Sequence, residues 1–259
     1  MPPFDVDSYQ RLRTSTRVGA VVHYRERTGS TMDDAREGAD AAGANGCGAA
    51  YVAGEQSAGR GRQGRSWVAT AAAGLYVTYH LCPLRVERAP LLGVAGALAV
   101  TEALNSSCGL ATRLKWPNDV MHEDRKIAGL LAEARLSEGL DVFLGIGINL
   151  RATSGMPPEV ERIATSIERA GAPPPSLETL LSALSTALEP WVELVERDPA
   201  ALIEAWRSQL DTLGRRIRLA TPGGEVEGEA MDVNDRGELI LRLDDGTTGA
   251  YAAGDVTTL

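Results

Sequence analysis

The stretch GRGRQGRSW, residues 59 to 67, interleaves three glycines with three arginines. Glycines allow backbone amides to turn toward a ligand, and guanidinium groups form paired hydrogen bonds with phosphates and carboxylates. The loop therefore has the chemistry to close over an anion-rich ligand and to be mobile without one; the competing interpretation is a solvated basic turn. The residues concerned are Gly59, Arg60, Gly61, Arg62, Gly64 and Arg65.

The glycine spacing G-x-G-x-x-G is typical of dinucleotide-binding loops, but its context here is different. Those loops open a helix directly and are followed by an acidic residue about 20 positions later. No acidic residue occurs between Trp67 and Glu87, and the next regular element reads as a strand. A Walker loop would need a following G-K-[ST], which is also missing. The sequence thus excludes a dehydrogenase or a P-loop enzyme.

The chain has only two lysines, Lys115 and Lys126, among 26 basic residues. An ammonium group is a compact charge with rotatable donors, whereas a guanidinium is a wide planar fork. In a sequence that otherwise uses arginine, a lysine indicates a position where a planar guanidinium could not replace the ammonium group. The alternative is that the two lysines occur by chance.

The overall charge argues against a general nucleic-acid binder. The 259 residues carry a net charge of -9, with 44% hydrophobic and 24% charged residues, whereas nucleic-acid binding needs a broad basic surface. The most apolar stretch, residues 91 to 100, is shorter than the roughly 20 residues of a membrane span, and no signal peptide is recognisable at the amino terminus. We expect a cytoplasmic protein that binds small anions and neither nucleic acid nor membrane.

The cysteines favour the same reducing compartment. Cys47, Cys82 and Cys108 are widely spaced, and the sequence has no C-x-x-C motif or local Cys/His cluster. We therefore expect neither a disulfide framework nor a structural zinc site.

The elements that must position the loop and Lys115 read as a mixture of strands and helices. Alternating or apolar runs predict strands, 3-and-4 spacing of leucines predicts an amphipathic helix, and short strands separated by turns predict a small barrel. Strands are expected within 20–31, running into a polar turn, and within 48–59, entering the glycine–arginine loop. Further strands are expected at 74–82, at 111–121, ending in a Pro-Asn-Asp turn, and at 127–136 and 141–150, which are joined by a hairpin through SEGL. Helices are expected after a Ser30 or Thr31 cap, at 88–106, at 177–188 and after Pro199, with a loop over 151–175 and short strands from 213 onward.

Five motifs in this order resemble the biotin protein ligases. They are GSTMDDA (29 to 35), the glycine–arginine loop, KWPNDV (115 to 120), RKIAGLLAE (125 to 133) and GIGIN (145 to 149). The resemblance runs from about residue 20 to the carboxy terminus. It implies an α+β fold: a mixed sheet with helices like that of class II aminoacyl-tRNA synthetases over 1–212, and a small SH3-like β-barrel over 213–259.

The resemblance also implies a two-step reaction. Biotin and ATP with Mg²⁺ give biotinyl-5′-AMP and pyrophosphate, and the adenylate then acylates a lysine on the biotin carboxyl carrier domain of an acyl-CoA carboxylase. We expect a monofunctional, preferentially monomeric ligase without an amino-terminal DNA-binding domain. Alternatives are a lipoate or octanoate ligase of the same architecture, a non-catalytic biotin sensor, and a nucleotide-dependent interaction module.

By motif match, catalysis is assigned to Arg60, Arg62, Lys115 and Asp119, the last either contacting magnesium or orienting the incoming lysine. Asn118 and Asp119 are also good turn formers, and Trp67 could either cover the ligand or belong to the core. Lys126 could instead be a solubilising residue on an edge strand. Met32 stands where many relatives have a polar residue. The implied biotin and adenylate contacts are Ser30, Thr31, Met32, Gln56, Gly59, Arg60, Gly61, Arg62, Arg65, Trp67, Lys115, Asn118, Gly129, Leu131, Gly147 and Asn149.

Overall fold

The computed structural model describes residues 4–136, 139–153 and 157–259 and has the expected α+β architecture, a mixed sheet with helices followed by a small antiparallel β-domain. The helices are α1 (Val6–Leu12), α2 (Thr31–Ala42), α3 (Ala89–Cys108), α4 (Pro158–Ile163), α5 (Leu177–Arg197) and α6 (Pro199–Arg207). The strands of the large sheet are β1 (Val22–Thr28), β2 (Ala50–Gln56), β3 (Gly74–Leu81), β4 (Arg113–Lys115), β5 (Asp119–His122), β6 (Arg125–Leu136) and β7 (Leu140–Asn149).

The large sheet has seven strands in the order β1-β2-β3-β7-β6-β5-β4. Only β1 and β2 are parallel, since α2 carries the chain from one to the other; the remaining neighbours are antiparallel. Helices α3 and α5 pack together and cover one face with the main core. Helix α2 covers part of the other face with a smaller cluster around Met32, Tyr51 and Phe143.

Strand alternation decides which residues reach the α2 face. Side chains of successive strand residues point to opposite faces. In β7, Val142, Leu144, Ile146 and Ile148 belong to the main core, so the intervening 143, 145, 147 and 149 face α2. In β6 the same argument directs 129 and 131 to the α2 face. The GIGIN and RKIAGLLAE motifs therefore present their glycines, Leu131 and Asn149 on one shared surface.

Three segments differ from the sequence prediction. The turn expected to end the strand at 111–121 is present, but it reverses the chain within that range, so the segment forms two strands with Lys115 paired to Asp119. The proline-containing stretch 151–175 includes the short helix α4, which packs against β6, and α5 continues to Arg197 through Pro190. The expected hairpin pairing of β6 with β7 is confirmed, although its turn includes residues 137 and 138, which lie outside the described residues.

The expectation that the cysteines form no disulfide was wrong. Strands β2 and β3 pair with Ala50 opposite Tyr79, and extending this register brings Cys47 opposite Cys82. The two form a disulfide with Cα atoms 5.8 Å apart, beside the buried ring of His80. The cluster is not apparent in the sequence, because its residues are far apart in the chain and only the pairing of β2 with β3 brings them together.

Helix α3 is the one described segment long and apolar enough to cross a membrane, as part of the stretch Val86–Cys108. In this fold it is a core helix: it packs between α5 and strands β6 and β7, and most of its residues are buried. An all-round apolar composition is what such a central position requires.

The carboxy-terminal domain is a five-stranded antiparallel sheet in the order β11-β10-β9-β8-β12. Its strands are β8 (Arg216–Thr221), β9 (Gly224–Val233), β10 (Leu239–Leu243), β11 (Thr248–Tyr251) and β12 (Asp255–Thr258). The buried Trp116 joins this domain to the KWPNDV turn by donating from Nε1 to the Gly237 carbonyl at 3.0 Å. The exact boundary at residue 213 stays a prediction.

Candidate active site

A cavity of about 410 Å³ lies on the α2 face of the large sheet, between the glycine–arginine loop, the KWPNDV turn and the start of β12. Its volume is in the range of small-molecule sites. The structure brings all the residues of the sequence-predicted site to its wall except Gly59. They are Ser30, Thr31, Met32, Gln56, Arg60, Gly61, Arg62, Arg65, Trp67, Lys115, Asn118, Asp119, Gly129, Leu131, Gly147 and Asn149.

The inner end of the cavity, at the start of α2, is neutral. The Thr31 backbone N–H donates to Gln56 Oε1 at 2.8 Å, and Thr31 Oγ1 lies 2.8 Å from Thr78 Oγ1. Buried Met32 adds an apolar wall, with its Sδ 3.0 Å from where a Cβ on Gly145 would lie. Hydroxyls and an amide beside an apolar surface suit a small, uncharged polar ring on an aliphatic chain.

The glycine–arginine loop folds as a short hairpin over the cavity. Gly61 N–H donates to the Arg65 carbonyl at 2.7 Å, and Trp67 N–H donates to the Gly59 carbonyl at 2.9 Å. Gly59 lies at the base of this hairpin, where a Cβ would be 2.5 Å from the Trp67 carbonyl oxygen. Gly59 is therefore not part of the cavity wall. Its lack of a side chain instead allows the two arms of the hairpin to approach each other.

Two of the loop arginines are paired with carboxylates. Arg60 Nη2 contacts Asp33 Oδ1 at 2.6 Å, and Arg65 forms an ion pair with Asp255 of β12. Arg62 instead donates to two neutral oxygens, Asn118 Oδ1 and the Gly254 carbonyl, both at 3.3 Å. Burial lowers the pKa of Arg62, and nearby Asp119 opposes this effect. Repulsion among the loop arginines is therefore partly offset, and Arg62 remains the loop guanidinium without a carboxylate partner among the described residues.

The two lysines have different environments within the cavity. Lys126 Nζ is paired with Asp119 Oδ1 at 2.5 Å. Lys115, at the end of β4 and half-buried, has no ion-pair partner within the part of the chain that the structure describes. A partly desolvated charge without a partner is costly. The Lys115 ammonium therefore favours an anionic ligand at this point of the cavity.

Trp67 lies on the glycine floor formed by β6 and β7. A Cβ on Gly147 would be 2.4 Å from the indole ring, and one on Gly129 would be 2.8 Å from it. Lys126 Nζ lies 5.4 Å from the ring centroid, and the buried indole Nε1 has no hydrogen-bond partner among the residues that the structure describes. Trp67 therefore packs within the cavity rather than in the main core. The surface that it covers is flat because Gly129 and Gly147 have no side chains.

The two asparagines connect the cavity wall to its surroundings. Asn118 donates to the Leu130 carbonyl and accepts from Arg62, so it links the turn to both β6 and the loop. Asn149 Nδ2 donates to the Thr165 carbonyl at 2.9 Å, which fixes the end of β7 against the segment after α4. Both amides are therefore structural partners as well as cavity residues.

Sequence reasoning missed two parts of the wall. Asp255, Val256 and Thr257 come from β12, in a tail predicted as strand but without a recognisable motif. Val160, Ile163 and Ala164 come from α4, in a stretch predicted as loop. Neither segment carries a local sequence pattern that indicates a site, and only the folded structure shows that both line the cavity.

A mixed sheet bearing a cationic loop over a cavity, with an appended antiparallel β-domain, fits the class of ligases that the sequence motifs resemble. The Biotin/lipoate A/B protein ligase family model matches residues 25–149, and the Biotin protein ligase C terminal domain model matches residues 212–257. The chain is 35% identical to a biotin–[acetyl-CoA-carboxylase] ligase of Mycobacterium tuberculosis, covering 100% of this chain and 97% of that one.

Solved structures agree with this match. A biotin protein ligase from Aquifex aeolicus in complex with biotin and ATP aligns with a TM-score of 0.78 at 25% identity, over 92% of this chain and 98% of that chain. One from Leishmania major in complex with biotinyl-5-AMP aligns at 0.63 and 30% identity, over 90% and 99%. The chain belongs to the biotin protein ligase family, so the resemblance seen in the sequence is confirmed.

Proposed function

We propose that this chain activates biotin with ATP to biotinyl-5′-AMP and transfers the biotinyl group to a lysine of a biotin carboxyl carrier domain. The proposal rests on the Lys115 ammonium, which is half-buried and has no ion-pair partner among the described residues. It lines the same cavity as three loop arginines and a neutral inner pocket. This combination suits a ligand with an uncharged head, a carboxylate and phosphates. A simple biotin sensor would not need so many cations.

In the first step, a biotin carboxylate oxygen attacks the α-phosphorus of ATP, the bond to the bridging oxygen breaks, and pyrophosphate leaves. Two anions must approach each other, so cations that contact the transition state lower the barrier. Lys115 holds the carboxylate beside the α-phosphate, while Arg62 and the other loop arginines stabilise the departing pyrophosphate. Ser30, Thr31 and Gln56 bind the biotin ring, and Trp67 covers the nucleotide next to Gly129 and Gly147.

In the second step, the amine of the carrier lysine attacks the acyl carbon, AMP leaves, and the attacking nitrogen loses a proton. The loop hairpin excludes water from the mixed anhydride until the carrier arrives. Asp119 lies in the cavity opposite Lys115 across the turn, and it orients the amine of the incoming lysine or would take part in binding magnesium.

Magnesium fits this set of residues. Mg²⁺ is usually held by one or two carboxylates together with substrate phosphates, and Asp119 supplies a carboxylate within the cavity. When bound with ATP, the ion neutralises phosphate charge.

The proposal extends to the setting of the enzyme. We infer a cytoplasmic monomer whose protein partner is the carrier domain of an acyl-CoA carboxylase and which does not bind nucleic acid. The net charge of -9 supports the last point, because it opposes association with phosphate backbones.

The complete reaction is tested by mixing the chain with biotin, ATP, Mg²⁺ and a purified carrier domain, and measuring the intact mass of the carrier. We expect one biotinyl group per carrier, and none on a carrier whose acceptor lysine is replaced by arginine. Excess lipoate should not reduce the rate. Transfer of lipoate at a comparable rate would assign the chain to the lipoate ligases instead, and biotin binding without transfer or adenylation would make it a sensor.

A further inference from the structure

The disulfide pair Cys47–Cys82 and His80 form a cluster outside the active site that the ligase reaction does not use. Their sulfur and imidazole nitrogen atoms all lie within 4.8 Å of one another. The cluster sits at the end of the sheet where β2 begins and β3 ends, opposite the glycine–arginine loop at the far end of β2. Two cysteines and a histidine are a ligand set typical of zinc.

The imidazole of His80 is held in place by a hydrogen bond and by stacking. Its Nε2 lies 3.5 Å from Cys82 Sγ and 2.8 Å from Asp141 Oδ1, so the same nitrogen faces a cysteine sulfur and a carboxylate oxygen. The ring stacks on Phe143 with centroids 5.4 Å apart, which fixes its plane. Asp141 is fixed in turn by Arg135, whose Nη2 lies 2.9 Å from its other oxygen. Such secondary hydrogen bonds orient ligands before the ion arrives.

Backbone hydrogen bonds also hold the cluster in place. Gly48 N–H donates to the His80 carbonyl at 2.6 Å and His80 N–H donates to the Ala49 carbonyl at 2.9 Å, so the two cysteines are locked opposite each other. Cys47 is exposed, and its Cα lies 5.8 Å from that of Cys82. In a tetrahedral zinc site the sulfurs are about 3.8 Å apart, given Zn–S distances of about 2.3 Å. After reduction, the exposed Cys47 side chain is free of its bond to Cys82 and can rotate about its own Cα–Cβ bond.

We propose that, once this disulfide is reduced, Cys47, His80 and Cys82 bind a zinc-type divalent cation, with water in the fourth position. Reduction by a dithiol converts the Cys47–Cys82 disulfide to two thiols, while the reductant becomes a disulfide. Metal binding then displaces one proton from each thiol as the two thiolates coordinate the ion. The disulfide and the metal complex are mutually exclusive states of one site, because a sulfur in the disulfide has no thiolate charge to donate.

The test uses Co²⁺ as a spectroscopic probe on the full-length chain, prepared without a polyhistidine tag. The reduced protein should bind one Co²⁺ and show thiolate-to-cobalt charge-transfer absorption with tetrahedral d–d bands. Added Zn²⁺ should remove these bands and raise the Tm. Cations held at the ATP site would give no thiolate bands, so the two sites are distinguishable without an activity assay.

Matched variants decide which residues are responsible. Cys47→Ser should abolish the charge-transfer absorption and weaken binding by at least about tenfold, while Cys108→Ser, the free cysteine elsewhere, should leave both unchanged. Because Cys47 is exposed, its replacement leaves the core intact. Absence of thiolate bands in the reduced wild-type chain would overturn the proposal. The same bands in the oxidised chain or in Cys47→Ser would also overturn it.

Discussion

Lys115 is the residue on which the proposed chemistry depends most. Its ammonium lies in the cavity without an ion-pair partner among the described residues, whereas Lys126, nearby in the same cavity, is neutralised by Asp119. An ammonium can contact a carboxylate and a phosphate oxygen at one point, but a guanidinium is longer and planar.

Lys115→Arg should therefore lower the rate of biotin adenylation by at least about tenfold, equivalent to 1.4 kcal/mol of transition-state stabilisation, even though the charge is retained. The measurement is the single-turnover rate of biotinyl-5′-AMP formation. Lys126→Arg is the matched control and should retain most of the activity, since an ion pair with Asp119 needs only a cation. Near-normal turnover of Lys115→Arg would contradict the claim that a compact ammonium group is required at this position.

Gly147 tests the role of Trp67 as part of the nucleotide site. An added Cβ would lie 2.4 Å from the indole ring, so Gly147→Ala must displace Trp67 from its place on β7. We expect the KM for ATP to rise by about tenfold, with little change in biotin affinity, measured by initial rates and by calorimetry. Gly93→Ala is the control, because its Cβ would meet no atom closer than 3.9 Å. An unchanged KM for ATP would show that Trp67 contributes nothing to nucleotide binding.

At the level of elements, the loop is connected to the carboxy-terminal domain. Arg65 pairs with Asp255 and Arg62 donates to the Gly254 carbonyl, so β12 holds the loop over the cavity. Both side chains of the Arg65–Asp255 pair are partly exposed, which limits the value of the ion pair to about 0.2–1 kcal/mol.

Asp255→Asn should consequently slow adenylate formation by about two- to fivefold and speed escape of the adenylate from the enzyme, without lowering the Tm appreciably. Retention of radiolabelled adenylate after rapid gel filtration measures the effect. Asp244→Asn, which removes an exposed pair with Arg216 in the same domain, should have no effect on retention. Equal retention in both variants would mean that β12 does not hold the loop.

Glu189 fixes the segment before β1 to α5. Its carboxylate accepts hydrogen bonds from the backbone N–H groups of Thr16, Arg17 and Val18. Burial alone would raise its pKa, but these bonds outweigh that effect and lower it from 4.5 to about 2. A pKa lower in the folded state means that the stabilisation is fully present above the unfolded value and is lost as pH falls toward 2.

Glu189→Gln should therefore lower the free energy of unfolding by about 1 kcal/mol at pH 7, a figure reduced for its partial exposure. The difference from wild type should shrink steadily between pH 4.5 and about 2. Urea unfolding across this range is the measurement. Glu193→Gln, on the same helix with a single exposed contact to Arg17 at 3.9 Å, is the control. A difference that is independent of pH would contradict the assignment.

For the whole molecule, much of the architecture followed from periodicity. Leucine spacing predicted the start of α5, alternation predicted β3, and the uniformly apolar stretch predicted the buried helix α3. Local patterns failed where tertiary pairing decides the outcome. The reversal at Trp116–Asn118 reads as a strand end, and α4 is short enough to depend on packing against β6.

The composition of the cavity shows the same division. Ordered motifs predicted the residues on α2, the loop, the turn and the central strands, because each motif is contiguous in sequence. The contribution of Asp255 and the meeting of Cys47 with Cys82 depend on contacts between residues far apart in the chain. Such contacts have no local pattern, so only the folded structure reveals them.

The most direct test of the central claim is biotin-dependent exchange of pyrophosphate into ATP, with the purified chain, Mg²⁺ and no carrier protein. This half-reaction requires the neutral pocket, Lys115 and the loop arginines to act together on one adenylate. We predict exchange with biotin and none with lipoate, abolished in Lys115→Ala. Biotin binding without exchange, under conditions where the chain is folded, would contradict the proposal that this cavity activates a carboxylate.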